Sequence, residues 1–252
     1  MNRLAVVTGA SSGIGRELAR VLAANGFDLV VAAEDDGIAA IAGELGAQAV
    51  RVDLATPEGV EALAAALPRT PDVLALNAGI VVGGEEFTRD DLDAHLRLVD
   101  LNVRSVVHLA RLVGAGMAAR GRGRILITAS IVAAMPGPYQ ATYNASKSFV
   151  QSFALALRDE LADRGVSVTS LMPGPTDTNI FARAGMLDTP LGGSRFKADP
   201  ADVAQQAFDA LMAGKQRVVT ASPAMKLAGL GSRLLPDAVK GRINRLVVKP
   251  RR

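Results

Sequence analysis

The stretch LAVVTGASSGIGRELARVLAA, residues 4–24, decides how the rest of the chain is read. Its first half is a short apolar run, Leu4–Thr8, that stops at Gly9. Its second half, Gly13–Ala24, carries Ile14, Leu18, Val21 and Leu22 at helical spacing and is closed by Asn25 and Gly26. The order is therefore strand, glycine-rich turn, helix. Glycines let a backbone turn tightly and come close to a pyrophosphate, and the free N–H groups at a helix start attract its charge. Gly9, Ser11, Ser12, Gly13, Ile14 and Gly15 are the candidate contacts. The spacing is G-x-x-x-G-x-G, not the G-x-G-x-x-G of other dinucleotide folds. The competing reading is an ordinary strand-to-helix turn.

Working outward, the same alternation continues. Strands are expected at Leu29–Ala33, Ala47–Val52, Val73–Leu76, Arg124–Thr128, Val166–Leu171 and Arg217–Thr220. Helices are expected at Ile38–Leu45 and at Pro57–Leu67, the latter capped by Thr56 with Pro57 at its first position. A long helix is expected from Thr88, paired with Asp91 in a capping box, to about Met117. Others are expected over Tyr139–Asp163 and, started by Asp199–Pro200, to Met212. Residues 173–199, rich in Gly, Pro and Thr, read as a loop or lid. The pattern predicts a single α/β domain: a Rossmann-type, doubly wound parallel sheet of about seven strands with helices on both faces. The buried strands are near-continuous apolar runs, as such a sheet requires. The expected division is a catalytic domain over residues 1–223 and a C-terminal extension over 224–252.

Composition narrows the function. The chain has 252 residues, 49% hydrophobic and 21% charged, the balance of a globular domain. It has no cysteine, which excludes disulfides, thiolate metal sites and cysteine nucleophiles, and only two histidines, so no metal site is expected. Gly9 and Ser11–Ser12 break the first apolar run too early for a signal peptide, and no apolar stretch is long enough to span a bilayer. A cytoplasmic location is the expectation. The net charge of +3 hides an asymmetry: residues 224–252 carry +7 and the remainder −4.

Chemistry-bearing residues gather at the carboxyl ends of the expected strands, where open α/β sheets bind ligands. Glu34 and Asp35 close the second strand about 20 residues after the last glycine, the place where a carboxylate accepts from ribose hydroxyls and repels a 2′-phosphate. That favours NAD over NADP, with Arg16 as a cation of opposite implication. Asp53 ends the third strand and can accept from an adenine amino group. Asn77-Ala78-Gly79 ends the fourth. Tyr143 and Lys147 are four apart on one helix, so they share a face. A lysine ammonium beside a phenol favours the phenolate and makes it a usable proton donor and acceptor. Ser130 ends the fifth strand and can hold a substrate oxygen. Asn102 is a poor helix former at a helix interior, where it can hold a kink and a water linking Lys147 to solvent. His95 and His108 read as structural.

Taken together, Thr8-Gly-Ala-Ser-Ser-Gly-Ile-Gly15, Asp53, Asn77-Ala78-Gly79, Asn102, Ser130, Tyr143-x-x-x-Lys147 and Pro173-Gly174 resemble the classical short-chain dehydrogenases/reductases, over about residues 1–220. The resemblance implies a nicotinamide-dependent oxidoreductase that interconverts an alcohol and a carbonyl. Tyr143 would be the acid/base, Ser130 would orient the substrate oxygen, and Lys147 would lower the Tyr143 pKa and hold the nicotinamide ribose. Asn102 would complete a proton relay. It also places Leu54, Pro173, Gly174, Thr176 and Thr178 at the cofactor. Three departures stand out: Leu76 replaces the first of two asparagines common before Ala-Gly, the second strand ends in Ala33-Glu34 rather than the family's common Asp or Arg, and the basic tail from Ala224 lies beyond the family's minimal core.

For the substrate, Ile131, Val132, Tyr139, Phe181, Met186 and Leu187 are candidate pocket residues beside Ser130. These are apolar, so the expected ligand is a hydrophobic alcohol or ketone; the competing reading is that some of them pack the local core or a subunit interface. The two long helices carry wide apolar faces, and pairing them across a two-fold axis would make the homodimer, or a homotetramer, that the resemblance implies; a monomer is the competing reading. The basic tail, with Leu227, Leu230, Leu234 and Leu235 against Lys226, Arg233 and Lys240, reads first as an extension packed on a neighbouring subunit. A membrane-surface helix is the second reading, and the tail's lack of aromatics argues against nucleic acid. A rival use of the same fold is a nucleotide sensor without turnover, which would not need the Ser130, Tyr143, Lys147 and Asn102 set.

Overall fold

The computed structural model describes residues 2–190, 192–194, 197–221 and 235–249. Seven strands form one all-parallel sheet: β1 (Arg3–Thr8), β2 (Phe27–Ala33), β3 (Gln48–Arg51), β4 (Val73–Leu76), β5 (Gly123–Thr128), β6 (Val166–Pro173) and β7 (Arg217–Thr220), in the order β3-β2-β1-β4-β5-β6-β7. The order reverses between β1 and β4, so a crevice opens above their carboxyl ends.

Strand periodicity distributes the core. In β1, Leu4 and Val6 face one layer, while Ala5 and Val7 face the other. On the second face pack α1 (Gly13–Ala24), α2 (Gly37–Leu45) and α8 (Pro200–Met212), through Leu18, Leu22, Ile38 and Leu211. The first face is covered by α3 (Pro57–Ala65), α5 (Ser105–Arg120) and α6 (Ala141–Ala162), through Leu63, Leu109, Met117 and Val150. Because both faces are covered, β1 residues Ala5 to Val7 are fully buried, which explains why no polar residue interrupts that run. A short helix α4 (Leu92–Val99), a single-turn α7 (Ile180–Arg183) and a terminal α9 (Asp237–Val248) complete the chain.

Several expected boundaries shift. The long helix does not begin at Thr88. Its cap is Asp91, whose carboxylate accepts from Asp93 N–H at 3.0 Å, and α4 starts at Leu92. Asp wins because it closes an Asx turn within two residues. The helix is also not continuous: Asp100–Arg104 forms one π turn between α4 and α5. The Tyr139 start fails as well, because Tyr139 takes a left-handed φ of 64° and α6 begins two residues later. The lid is not pure loop, since it contains α7. Thr56 and Asp199 do cap α3 and α8. No helix among the described residues is long and apolar enough to cross a membrane, and they hold no metal-binding cluster. The apolar tail residues Leu227, Leu230 and Leu234 lie outside the described residues.

Candidate active site

One cleft of about 1410 Å³ runs along the carboxyl edge of the sheet. A single small-molecule pocket is roughly 300–1,000 Å³, so there is room for a large ligand with a second one beside it. It starts at Glu34 and Asp53, passes the glycine turn, and ends at Ser130, Tyr143 and Lys147 under the lid.

The glycine turn is built for close approach. Ser12 precedes α1 in extended backbone and makes no side-chain cap, so the helix start keeps uncommitted N–H donors. Gly9 holds φ +66°, and a Cβ there would come 2.9 Å from Ala78 Cα. Gly15 does not line the cleft. A Cβ on it would come 2.2 Å from Gly9 O, so its role is to seat α1 against the turn. Thr8 ties β1 to β4: its hydroxyl donates to Ala75 O and accepts from Asn77 N–H and Ala78 N–H, at 2.9–3.2 Å. Asn77 in turn donates to Thr8 O and accepts from the Thr128 hydroxyl. A leucine at position 76 suits this frame because it is 4% exposed and packs in the core.

At the far end, Glu34 and Asp53 are joined by Arg97 of α4, with contacts of 2.6 and 2.8 Å. Partial burial works against the Asp53 carboxylate, but Arg97 and Ala55 N–H outweigh it and hold its pKa below the usual range. Asp35 is engaged differently, accepting from the Ser11 hydroxyl at 2.7 Å and from Gly37 N–H. Arg16 pairs with Glu17 and does not line the cleft. The cation at this end is Arg97, which sequence reading missed because α4 meets β2 and β3 only in the folded chain.

At the near end, α6 brings Tyr143 and Lys147 to one buried face. Burial pushes Tyr143 up to about 12, against a lowering hydrogen bond from Ser130. Lys147 is pushed down to about 8 by burial, and its amine donates to Thr128 O at 3.0 Å. The Nζ lies 5.8 Å from the Tyr143 ring centre. The expected lowering of the Tyr143 pKa is thus not what the protein alone produces: desolvation dominates. Asn102 lies in the π turn and outside the cleft. Its side chain accepts from Ile80 N–H and donates to Ile80 O and to the Ser146 hydroxyl, which anchors the kink to the end of β4.

Pro173, Gly174, Thr176 and Thr178 line the cleft beside Leu54, Ala78 and Gly79. Thr178 leans from the lid onto the glycine turn, where a Cβ on Gly13 would meet its methyl group at 2.9 Å. Ile131, Val132 and Phe181 line the substrate end next to Ser130. Three expected pocket residues do not. Met186 is fully buried beneath the lid, packed with Val81, Phe181 and Val248. Leu187 is 57% exposed and does not line the cleft. Tyr139 packs on the same lid cluster, with the Arg245 guanidinium over its ring at 5.6 Å. Their places are taken by Val81, Met135 and, from the C-terminal segment, Leu235, Ile243 and Val247. No local motif announced that α9 would fold back here; its inward residues Gly241, Asn244 and Val248 follow helical spacing.

Lys147 gives a stability prediction with a definite sign. Its folded pKa of about 8 lies below the ordinary 10.5, so the buried ammonium destabilises the apoprotein by about 3 kcal/mol at neutral pH. The contribution to stability is fully present above pH 10.5 and is lost as pH falls through about 8. Tyr143 acts oppositely: its folded pKa is raised, so stability falls from pH 10 to about 12. Lys147→Met removes the charge and one hydrogen bond worth about 1 kcal/mol. The variant should gain about 1–3 kcal/mol at pH 7, or roughly 2–4 °C of melting temperature per kcal/mol. It should also lose the rise between pH 8 and 10.5. Thermal melts across pH decide it; a lower melting temperature at pH 7 would refute the argument.

Comparison with known proteins agrees with this geometry. The family model described as short chain dehydrogenase matches residues 3–186. The 3-oxoacyl-(acyl-carrier-protein) reductase of Escherichia coli is 32% identical over 190 residues, covering 71% of this chain and 75% of that protein. Among solved structures, a short-chain dehydrogenase from Sphingobium yanoikuyae in complex with NADPH superposes with a TM-score of 0.81 at 26% identity, covering 96% of this chain and 94% of that one. A 3-ketoacyl-(acyl-carrier-protein) reductase from Brucella melitensis complexed with NADH gives 0.76 at 29% identity, covering 87% and 96%. The sheet order, the glycine turn and the Ser130, Tyr143 and Lys147 cluster stand in a chain that belongs to the short-chain dehydrogenase family.

Proposed function

We propose that the protein is an NAD(P)-dependent oxidoreductase that interconverts a hydrophobic secondary alcohol and a ketone or aldehyde. The observation that carries this reading is that one cleft holds Glu34 and Asp53 at one end and Ser130, Tyr143 and Lys147 at the other. The residues fit a dinucleotide. Glycines stand where any Cβ would close the cradle, the α1 N-terminus offers free donors, and the solved relatives hold NADPH and NADH in the same fold. The bound cofactor supplies or accepts the hydride.

The chain's own residues handle position and protons. Ser130 holds the substrate oxygen facing the Tyr143 hydroxyl. Tyr143, protonated at neutral pH, donates its proton as the carbonyl oxygen gains charge. Lys147 sits by Gly79 and Thr128, within reach of the nicotinamide ribose and of the developing phenolate. Its charge strengthens the tyrosine as an acid once that negative charge forms. Asn102 keeps the π turn and the β4 end in register. Ile131, Val132, Phe181, Ile243 and Val247 present apolar surface to the rest of the substrate, which favours a hydrophobic one. Glu34 favours the unphosphorylated ribose of NAD.

The outer surfaces of α4, α5 and α6 leave Leu92, Leu96, Leu112 and Phe149 exposed. That apolar area supports self-association into a dimer or tetramer through these helices.

The test is a screen of aliphatic and aromatic ketones with NADH and with NADPH, followed by loss of nicotinamide absorbance. Turnover on apolar ketones but not on acidic ones is the expected result. Tight cofactor binding without turnover on any carbonyl or alcohol would favour a nucleotide sensor and overturn the reading.

A further inference from the structure

The carboxylates at the ends of β2 and β3 do not stand free. Arg97 reaches down from α4 and bonds Glu34 Oε2 at 2.6 Å and Asp53 Oδ2 at 2.8 Å. All three residues line the adenosine end of the cleft. The dinucleotide reading places ribose hydroxyls at Glu34. The Arg97 guanidinium is within hydrogen-bond reach of that same carboxylate, so it lies where a 2′-phosphate would come.

Other cations are differently employed. Arg16 is paired with Glu17. Arg51 is paired with Asp36 and bonds Glu34 O, but does not line the cleft. Among the described residues lining the cleft, the remaining cations are Lys147 at the reacting end and Arg183 on the lid.

Resting on the proposed cofactor role, we infer that Arg97 determines the choice between NAD and NADP. Held by Glu34 and Asp53, it leaves a carboxylate for the ribose hydroxyls of NAD. Turned onto a 2′-phosphate, it supplies the bidentate cation that NADP needs. The exchange is inexpensive. The Arg97 side chain is 42% exposed and Glu34 is 52% exposed, and ion pairs that open to water contribute little. Asp53 stays in place when Arg97 leaves, because Ala55 N–H holds its other oxygen at 2.9 Å. Glu34 alone would repel a 2′-phosphate. With Arg97 beside it the local charge is offset, and the protein accepts both cofactors.

Titration calorimetry with adenosine 5′-monophosphate and adenosine 2′,5′-bisphosphate tests this, because the two differ only in the 2′-phosphate and neither carries nicotinamide. Wild type should bind both. Arg97→Gln should weaken the bisphosphate about 10- to 100-fold, the worth of one charge-assisted contact, and change the monophosphate less than about threefold. Glu34→Gln should strengthen the bisphosphate and weaken the monophosphate. Equal loss of both ligands in Arg97→Gln would make Arg97 a mere support for the loop. A gain in both would make it a plug. Either result overturns the proposal, as does a wild type that binds the monophosphate alone. A wild type that binds neither nucleotide, nor NADH or NADPH, instead overturns the cofactor reading beneath it.

Discussion

Tyr143→Phe is expected to lower kcat for ketone reduction by about 10²–10⁴-fold, the usual contribution of a positioned general acid. The ring stays: it packs beside Val81, Phe181 and Met186, and phenylalanine keeps those contacts. Only the hydroxyl is lost, and with it the group that bonds Ser130 and would hand a proton to the substrate oxygen. Burial raises the phenol to about 12, so in the free protein Tyr143 is protonated throughout the neutral range. That is the form required for reduction. Alcohol oxidation needs the proton removed, so its rate should climb with pH while reduction does not. NADH affinity of the variant should change little, which separates a chemical defect from a folding one. A variant that keeps more than about a tenth of the wild-type kcat would eliminate Tyr143 as the acid.

Gly15→Ala is expected to cost stability and nucleotide binding together. The new methyl would lie 2.2 Å from Gly9 O and 2.5 Å from Asn77 Nδ2, so α1 must move off the turn. Overpacking of this kind costs about 1–3 kcal/mol. Because the displaced groups are the pyrophosphate cradle itself, dinucleotide affinity should fall by roughly 10- to 100-fold, as the loss of one charge-assisted contact would give. Gly26→Ala is the control. Gly26 has φ +77° but nothing within 4 Å of a Cβ, so only backbone strain of about 1–2 kcal/mol applies and binding should survive. Denaturant melts and NADH titrations on the two variants distinguish the mechanisms. Equal loss of affinity in both would show that general loosening, not the cradle, is responsible.

The local rules that held and those that failed share a pattern. Thr56 and Asp199 were legible as caps because an N-cap is decided within four residues. Thr88 misled because Asp91 offered an equally local alternative three residues on, and the folded chain used that one. Tyr139 stands just before the helix and took φ 64°, and its carbonyl accepts from Gly84 N–H on the crossing segment. No window of sequence contains that partner.

The site divides the same way. Gly9, Asn77, Ser130, Tyr143 and Lys147 could be located from the sequence because each follows a strand end or shares a helix turn, and a parallel sheet brings its strand ends to one edge. Strand order, burial and long-range contacts were decided only by the tertiary structure. It brought Arg97 between Glu34 and Asp53, 63 and 44 residues away in sequence. It folded α9 back to line the substrate end, and it used up the Asn102 side chain on Ile80 and Ser146. It also reversed the expected direction of the Tyr143 pKa, because desolvation depends on everything packed around a group and not on its neighbours along the chain. Periodicity and motif spacing determine which residues share an edge; only packing determines which charges meet there and how dry they are.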